Sequence, residues 1–311
     1  MSVRLPLSTI ILIIYMWISM IAYSFLIFVI LTQRRRVTSL RSSYYWLFLL
    51  EAMGNFFVFF QYELILRPRK YNFFNIYNEN MTWFAIYSMT ALFVGRGVWF
   101  LAEIFIAANR FTVFYFPLKH ERLWRASIII YIYIFVWVLS ILAALPFALD
   151  SEQLRFVFAP NGILQMYGGN VYDSVHSVVL TAAVVLSCSV FYGLACKYAR
   201  NETFRISKSA AVDRHLFVCA LFSALPTVAE FVRSLICGYA TIFHNNQLYA
   251  LVTEWGLYQV EIMASLPVWL QLLVNVDLRQ IAIGMVRGRK YSSLGPPNIR
   301  ISTVQMCSTK A

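Results

Sequence analysis

The sequence predicts an all-α membrane protein: a bundle of seven transmembrane helices, with the N-terminus outside and the C-terminus in the cytoplasm. The chain is 60% hydrophobic and only 13% charged, whereas a soluble domain carries about 25% charged residues. Its apolar residues form runs of about 20, the length that a helix needs to cross the hydrocarbon core. The net charge of +12 falls largely in the short segments between these runs. That distribution favours a membrane topology over nucleic-acid binding.

The first apolar run, Ser8–Leu31, contains no charged residue. It is longer than the apolar core of about 7–15 residues in a signal peptide, so we interpret it as the first span. The second run ends at the basic group Arg67–Lys70. Pro117 must end or kink the helix of the third span, because proline lacks the amide hydrogen that a helix needs. The seven predicted spans are 8–31, 43–66, 84–108, 126–149, 174–196, 215–237 and 249–274.

Beyond the seventh span, apolar residues such as Leu278, Ile281 and Met285 recur at helical spacing with arginines between them. This pattern predicts a short amphipathic helix on the membrane surface. We therefore assign residues 1–291 to one seven-span domain. The remaining residues, 292–311, show little apolar periodicity and are predicted to form a disordered cytoplasmic tail.

Lys and Arg are distributed unequally between alternate loops. The loops after spans one, three and five and the tail contain four, four, five and six of them, whereas the opposite side contains five in all. Cytoplasmic loops are enriched in Lys and Arg, which predicts an outer N-terminus and an inner tail. The tripeptide that begins at Asn80 then lies outside and is a candidate glycosylation site, whereas the one at Asn201 lies in the cytosol.

Charged residues inside the spans are the candidates for a functional site, since an ionised group at the bilayer centre costs about 2.5–3.5 kcal/mol. A rise of 1.5 Å per residue places Arg96 about 21 Å above Arg110, in the outer half of the bundle. Glu230 and Glu254 are each within about two turns of the outer ends of their helices, so either can meet Arg96. Three further acidic residues are predicted to lie deeper: Glu51, Glu103 and Glu261.

Two interpretations of this outer cluster stay open. Arg96 can pair with an acid simply so that both charges can be buried, or the cluster can form the polar floor of a ligand pocket. Catalysis, a cofactor and a metal are not predicted, because the four histidines are scattered and no phosphate-binding or nucleophile motif occurs. In the segment 150–172, alternating apolar residues flank Pro160-Asn161-Gly162, a pattern that fits either a hairpin lid or a flexible loop.

The most specific motif runs from Asn109 to Trp124, with Asn-Arg-Phe at its start and Pro117-Leu118 at a fixed offset. An arginine at this inner helix end is by itself typical of any membrane helix. Together with seven spans and an outer N-terminus, however, the pattern resembles that of G-protein-coupled receptors. The full phrase resembles most closely the nematode serpentine chemoreceptors of the class gamma group and its class V relatives.

This resemblance implies a chemosensory receptor in the plasma membrane, in the cilia of sensory neurons. It implies a small-molecule ligand in the outer half of the bundle and a heterotrimeric G protein on the cytoplasmic side. An enzymatic activity is not implied. The residues expected at the coupling surface are Asn109, Arg110, Pro117, Lys119 and Arg122. For the loop charges among them, membrane topology alone is a competing explanation.

The sequence also departs from the large rhodopsin-like class. Asn109 stands where that class has an acid, and the sixth span lacks a tryptophan two residues before Pro226. None of the five cysteines lies in the third span or the second outer loop, so the disulfide that usually joins these segments is absent. The switch residues of that class are therefore not transferred to this chain.

A different class of protein competes with the receptor interpretation. A small transporter or channel subunit would use Glu51, Glu103 and Glu261 as an ion path through the membrane. The odd number of spans and the lack of an inverted repeat count against it.

Overall fold

A computed structural model of the chain describes residues 5–73, 76–149, 155–158, 163–167, 171–199 and 208–288. Nearly all of these residues are helical. The helices are α1 (Leu7–Gln33), α2 (Ser43–Phe60), α3 (Arg67–Lys70), α4 (Thr82–Tyr115), α5 (Pro117–Leu123), α6 (Ala126–Leu149), α7 (Val171–Ala199), α8 (Lys208–Ile242), α9 (Asn246–Val274) and α10 (Val276–Val286). Two short strands, β1 (Arg155–Phe158) and β2 (Leu164–Tyr167), lie between α6 and α7.

Six of the helical segments are long and apolar enough to cross a membrane. A seventh candidate is Tyr258–Val274 together with Val276–Val286, which meet at a bend of 85°. The described chain is thus an all-helical membrane bundle with six spans, or seven when the bent pair counts as one. The predicted fold class is confirmed at this level, whereas the orientation of the termini stays a prediction.

The observed helices extend beyond most of the predicted spans. Ala126–Leu149 coincides with its predicted span, but α4 continues to Tyr115 where the predicted span stops at 108. In the same way α8 covers Lys208–Ile242 in place of 215–237. The prediction followed apolar windows, and polar residues end such a window without breaking the hydrogen bonds of the helix.

The second span differs most from its prediction, which placed its end before Pro68. The helix instead passes through a π-helical segment, Gln61–Leu66, and continues as α3 to Lys70. In a regular helix, the ring of Pro68 would collide with a carbonyl of the preceding turn. The wider π turn directly before it changes this hydrogen-bond pattern. Arg67 and Arg69 are therefore held on a helix and not in a loop.

Helix α4 lies at the centre of the bundle and packs against α2, α6, α7 and α8. Small residues allow its close approach to two of them. A Cβ atom at Gly54 of α2 would lie 3.2 Å from the backbone nitrogen of Trp99, and one at Gly97 of α4 would lie 2.9 Å from Ser140 Oγ. Such contacts between small residues are the main means by which membrane helices approach each other. They fix the depth of α2 and α6 relative to α4.

The strands β1 and β2 pair antiparallel, from Arg155 opposite Tyr167 to Phe158 opposite Leu164. The buried side chains of Phe156 and Leu164 pack on the first turns of α4. Of the two alternatives for this segment, the hairpin is the one observed, while the predicted turn at 160–162 lies outside the described residues. The hairpin therefore sits beside the end of the bundle that is predicted to face outward.

Beyond the bend, α10 is held by Asn275, whose side-chain oxygen accepts a hydrogen bond of 3.1 Å from the amide of Leu278. Leu278, Ile281 and Ala282 are buried against the bundle. The position of this helix on the membrane surface stays a prediction. The predicted tail, 292–311, lies outside the described residues, and the assignment of 1–291 to one domain also stays a prediction.

Candidate functional site

Arg96 of α4 and Glu230 of α8 form an ion pair inside the bundle. The side chain of Glu230 is fully buried. Of the two partners that the sequence left open for Arg96, the structure therefore shows Glu230. The side chain of Glu254 lies outside the described residues.

A second arginine, which the sequence analysis did not select, completes this outer cluster. Arg233 donates from Nη2 to Glu230 Oε1 at 2.5 Å and from Nε to Oε2 at 2.8 Å. Gly256 of α9 makes room for it, since a Cβ there would lie 3.0–3.1 Å from three atoms of the Arg233 side chain. The spacing of three residues between Glu230 and Arg233, one turn of a helix, was the available signal. The cluster holds two guanidinium groups around one carboxylate.

Arg67 forms a second cluster of charges near the end of the second span. Its Nη1 atom lies 2.8 Å from Glu63 Oε1, one helical turn earlier, in an ion pair, and it also pairs with Glu261 of α9. All three side chains are buried. The sequence prediction treated Arg67 as a loop charge, although the four-residue spacing from Glu63 indicated a pair on one helix face.

The prediction that Glu261 lies deep in the bundle is wrong. Glu261 and Thr9, in the first turn of α1, line the same cavity. Four residues further along, Ser265 Oγ lies 2.9 Å from the hydroxyl of Tyr15, so the two helices run side by side in the same direction. The reason is that α9 begins at Asn246, well beyond the first turn of α1, so Glu261 lies level with the start of α1.

This outer cavity has a volume of about 60 Å³ and lies between α1, the α2–α3 segment and α9. Thr9 and Tyr71, joined by a hydrogen bond of 3.1 Å between their hydroxyl groups, lie on one side. The polar lining includes Arg67, Arg69, Lys70 and Glu261, and Leu12 and Leu66 are apolar lining residues. Arg96 and Glu230 do not line it. This cavity, at the end of the bundle that is predicted to face outward, thus lies next to the second cluster.

Glu51 and Glu103 form a third polar region, deeper than Arg96. Because Gly54 packs against Trp99, Glu51 and Glu103 lie on facing turns of the antiparallel helices α2 and α4. Both side chains are buried, and within the described ranges neither forms an ion pair with a cation. Nearby, the amide of Asn55 donates a hydrogen bond of 3.0 Å to the Tyr23 hydroxyl.

At the other end of α4, Asn109 and Arg110 are completely buried. The sequence predicted that this pair lies at the end of the helix, where it meets water. That prediction is wrong, because α4 continues to Tyr115 and neighbouring helices pack around the pair. Arg110 donates to Asn109 Oδ1 from Nη2 at 2.5 Å and from Nε at 3.2 Å. The amide nitrogen of Asn109 in turn donates to Ser43 Oγ of α2 at 2.8 Å. A neutral amide therefore holds the guanidinium.

A chain of hydrogen bonds continues from Ser43 into α5. Ser43 Oγ lies 3.2 Å from His120 Nε2, and His120 Nδ1 lies 3.1 Å from Thr112 Oγ1. The indole of Trp124 donates to the same Thr112 oxygen at 2.7 Å. Burial and then the nearby Arg110 charge lower the pKa of His120 to about 4. His120 is therefore neutral at physiological pH and connects α2, α4 and α5 as an uncharged group.

On its other side, Arg110 is linked to the end of α9 through Tyr44 of α2. Its guanidinium carbon lies 4.8 Å from the centre of the Tyr44 ring, a cation–π contact. Gln271 of α9 donates to the Tyr44 hydroxyl, and Asn275 donates to Gln271 Oε1 at 2.9 Å. Asn275 also caps α10. A polar network thus joins Arg110 to α2, α5, α9 and α10, and we call it the inner network.

Pro117 ends α4 as predicted: α4 stops at Tyr115, and Pro117 is the first residue of α5. The segment that follows was predicted as a basic loop, but it is the short helix α5. Proline at the first helical position, where no amide hydrogen is required, was the signal for it. Lys119 and Arg122 are exposed on this helix. Asn80, the candidate glycosylation site, is exposed two residues before α4.

The long apolar helices and the charges buried between them are those of a polytopic helical membrane protein. The family model of the Srg family chemoreceptors matches residues 9–280, most of the chain from α1 into α10. The chain therefore belongs to the Srg chemoreceptor family, and the predicted identity as a nematode serpentine chemoreceptor is confirmed. A comparison with curated proteins gave no match. Family membership indicates a chemosensory membrane receptor for small molecules, and it gives no indication of an enzyme.

Proposed function

We propose that this chemoreceptor binds a small molecule in the outer half of its bundle and signals through a heterotrimeric G protein at its cytoplasmic end. The observation that carries the proposal is the enclosure of Arg110. Its side chain is 0% exposed, and one acceptor that holds it is the amide of Asn109. Arg110, with exposed Lys119 and Arg122 and the helix break at Pro117, is the proposed coupling region.

A buried guanidinium is costly unless it is paired, by several kcal/mol per ion in proteins. Asn109 is neutral and offers hydrogen bonds without a full opposite charge. The contact with Asn109 can therefore be released more easily than an ion pair with an acid at that position. In the closed arrangement a cytoplasmic partner cannot touch Arg110, so signalling requires that the helices around Arg110 move apart. Arginine suits such a role because its planar group can donate to several backbone carbonyls of an inserted helix.

Helices α4 and α9 each carry polar residues near both ends of the bundle. Helix α4 carries both Arg96 and Arg110, which are about 21 Å apart along the helix. Helix α9 carries both Glu261, beside the outer cavity, and Gln271 of the inner network. A ligand that prefers one arrangement of these helices would shift the equilibrium between a closed and an open inner end. The shift is limited by the difference in ligand affinity between the two states.

The proposal includes a topology: an outer N-terminus, a cytoplasmic tail, and a place in the plasma membrane of sensory cilia. The uneven distribution of Lys and Arg supports the orientation, and the family supports the cell type. A C-terminal epitope tag should stain only permeabilised cells, whereas an N-terminal tag should stain intact cells. Staining of the C-terminal tag in intact cells would refute the orientation.

The buried pair Glu51 and Glu103 favours a second function, ion transport, because both acids lack a cationic partner within the described residues. A path also needs further acids in line with them. Glu261 does not serve, since it lies in the outer half and pairs with Arg67. The receptor proposal is therefore preferred, and substrate flux that persists without G protein would support transport instead.

The direct test is a calcium assay in cells that express the chain with a promiscuous G protein. Volatile and water-soluble chemicals are screened for a response, and responders are tested again on an Arg110→Ala variant at equal surface level. The proposal predicts at least one chemical whose response requires both the G protein and Arg110. A response that is independent of the G protein would contradict it.

A further inference from the structure

Arg69, the last arginine of the second span, is buried and has no counter-ion among the residues that the structure describes. It is 7% exposed and lines the outer cavity. Its Nε and Nη1 atoms have no hydrogen-bond partner, and Arg69 forms no ion pair with any residue in the described part of the chain. A buried charge of this kind is unfavourable unless something else supplies the missing partner.

The neighbouring acids that the structure describes are already engaged. Glu63 and Glu261 both pair with Arg67, and Glu79 accepts a hydrogen bond of 2.8 Å from the amide of Phe158. Arg69 instead lies against an aromatic ring, with its guanidinium carbon 4.8 Å from the centre of Phe156. This cation–π contact orients the planar group, but it accepts none of its hydrogen bonds.

Phe156 belongs to strand β1, so the hairpin covers Arg69 from one side. Phe156 is almost fully buried and packs with Leu164 and the start of α4. The guanidinium is therefore held between a fixed ring and the cavity. A side chain that is fixed before its partner arrives loses less entropy on binding. Such an arrangement fits a binding site better than a mobile surface charge.

We propose that Arg69 is the anion-binding residue of the outer cavity and that this receptor recognises small carboxylates. A carboxylate matches the two parallel donors of a guanidinium. A single negative charge would balance the single unpaired guanidinium, so a monoanion fits better than a dianion. This inference rests on the proposed ligand site in the outer half, and it adds the chemical class of the ligand.

The cavity is also suited to a small bound group. Its volume of about 60 Å³ is well below the 300–1,000 Å³ or so of a site for a drug-sized ligand. A carboxylate group with one or two carbon atoms fits this space. Leu12 and Leu66 offer an apolar wall for the carbon atoms. Acetate is therefore the natural probe, and acetamide, with nearly the same shape and no charge, is its matched control.

The experiment uses the purified full chain in nanodiscs and follows its melting temperature during titration with sodium acetate or acetamide. We expect acetate to stabilise the wild type with a midpoint concentration at least roughly tenfold lower than that of acetamide. Arg69→Gln should lose this advantage, and Arg69→Lys should keep part of it because the charge remains. Arg36→Gln, which removes an exposed arginine, controls for general salt effects and should behave as the wild type does.

Equal midpoints for acetate and acetamide in the wild type would overturn the proposal, and this comparison needs no variant to fold. Unchanged acetate binding by a folded Arg69→Gln protein would overturn it as well. Failure of the receptor proposal has a different signature. If the chain binds acetate through Arg69 but never activates a G protein, the anion site is supported and the receptor proposal is refuted. If it responds to neutral odorants equally with and without Arg69, the receptor proposal is supported and the carboxylate class is refuted.

Discussion

Replacing Glu230 with glutamine would leave Arg96 and Arg233 close together without the carboxylate between them. Glu230 is fully buried and accepts hydrogen bonds from both arginines. The neutral amide has the same shape but offers only one acceptor and no negative charge. Two like charges would then face each other inside the bundle, where opposite charges are normally required. We therefore predict that Glu230→Gln is the most damaging single change in the outer cluster.

The geometry sets the order of the effects. Removing one partner of a buried pair costs about 3–5 kcal/mol, and Glu230→Gln removes the shared partner of two arginines. Arg96→Ala leaves Glu230 with both bonds from Arg233, at 2.5 Å and 2.8 Å. Its cost should therefore be nearer that of one charged hydrogen bond, about 1.5–3 kcal/mol. Because Arg233 remains, Arg96→Ala should cost less free energy of unfolding than the loss of one partner from an isolated pair.

The assay is thermal unfolding of each variant in nanodiscs, combined with its surface level in cells. Arg36→Ala, at an exposed arginine, is the control and should change neither value. The expected order of stability is wild type, then Arg96→Ala, then Glu230→Gln. An Arg96→Ala protein that is less stable than Glu230→Gln would refute the shared-carboxylate reasoning. So would a Glu230→Gln protein that unfolds as the wild type does.

Three further predictions concern other sites. Asn109→Asp should lower ligand-independent signalling, because an aspartate would hold Arg110 in an ion pair; basal nucleotide exchange on the G protein measures this. The pKa of His120 is lowered to about 4 from about 6.5 in an unfolded chain. The unfolded state therefore binds the proton first, and stability should be complete above about pH 6.5 and fall as the pH drops toward 4. Melting curves of the wild type and His120→Gln over this range should show a smaller slope in the variant. Gly256→Ala should lower the melting temperature, because its Cβ would press on Arg233 at 3.0–3.1 Å. Gly193→Ala, where no atom lies within 4 Å of the added Cβ, should not.

Each of these three has a contradicting result. Basal exchange in Asn109→Asp that equals or exceeds the wild type at the same surface level would argue against a weak lock on Arg110. Identical pH profiles for the wild type and His120→Gln would show that this histidine does not stay neutral in the folded bundle. Equal effects of the two glycine substitutions would show that Arg233 can move aside and is not fixed by Glu230.

The helices could be predicted from the sequence because the thickness of the bilayer requires apolar runs of a certain length. The span 126–149, which contains no charge, was predicted to its observed bounds. Where polar residues continue a helix, as at Asn109 and Arg110, the apolar window stopped too early. No hydropathy pattern indicates the π-helical segment before Pro68. The sequence therefore could not predict that Arg69 lies on a helix.

The pairing of charges was only partly predictable. The i to i+3 and i to i+4 pairs, Glu230 with Arg233 and Glu63 with Arg67, leave a trace in one sequence segment. Pairs between helices depend on how far each helix projects and how it is rotated. That information is carried by packing contacts such as Gly54 on Trp99. For this reason Glu261 was placed too deep and the outer cavity was not anticipated.

The central claim is that Arg110 leaves its enclosure to engage a G protein. The most direct measurement is nucleotide exchange by a heterotrimeric G protein on nanodiscs that contain equal amounts of wild type, Arg110→Lys or Arg110→Ala. It needs no known ligand, since the basal rate is read first. We predict measurable basal exchange in the wild type, reduced exchange in Arg110→Lys because an ammonium cannot reproduce the planar fork, and none in Arg110→Ala. Wild-type exchange by a well-folded Arg110→Ala protein would contradict the claim.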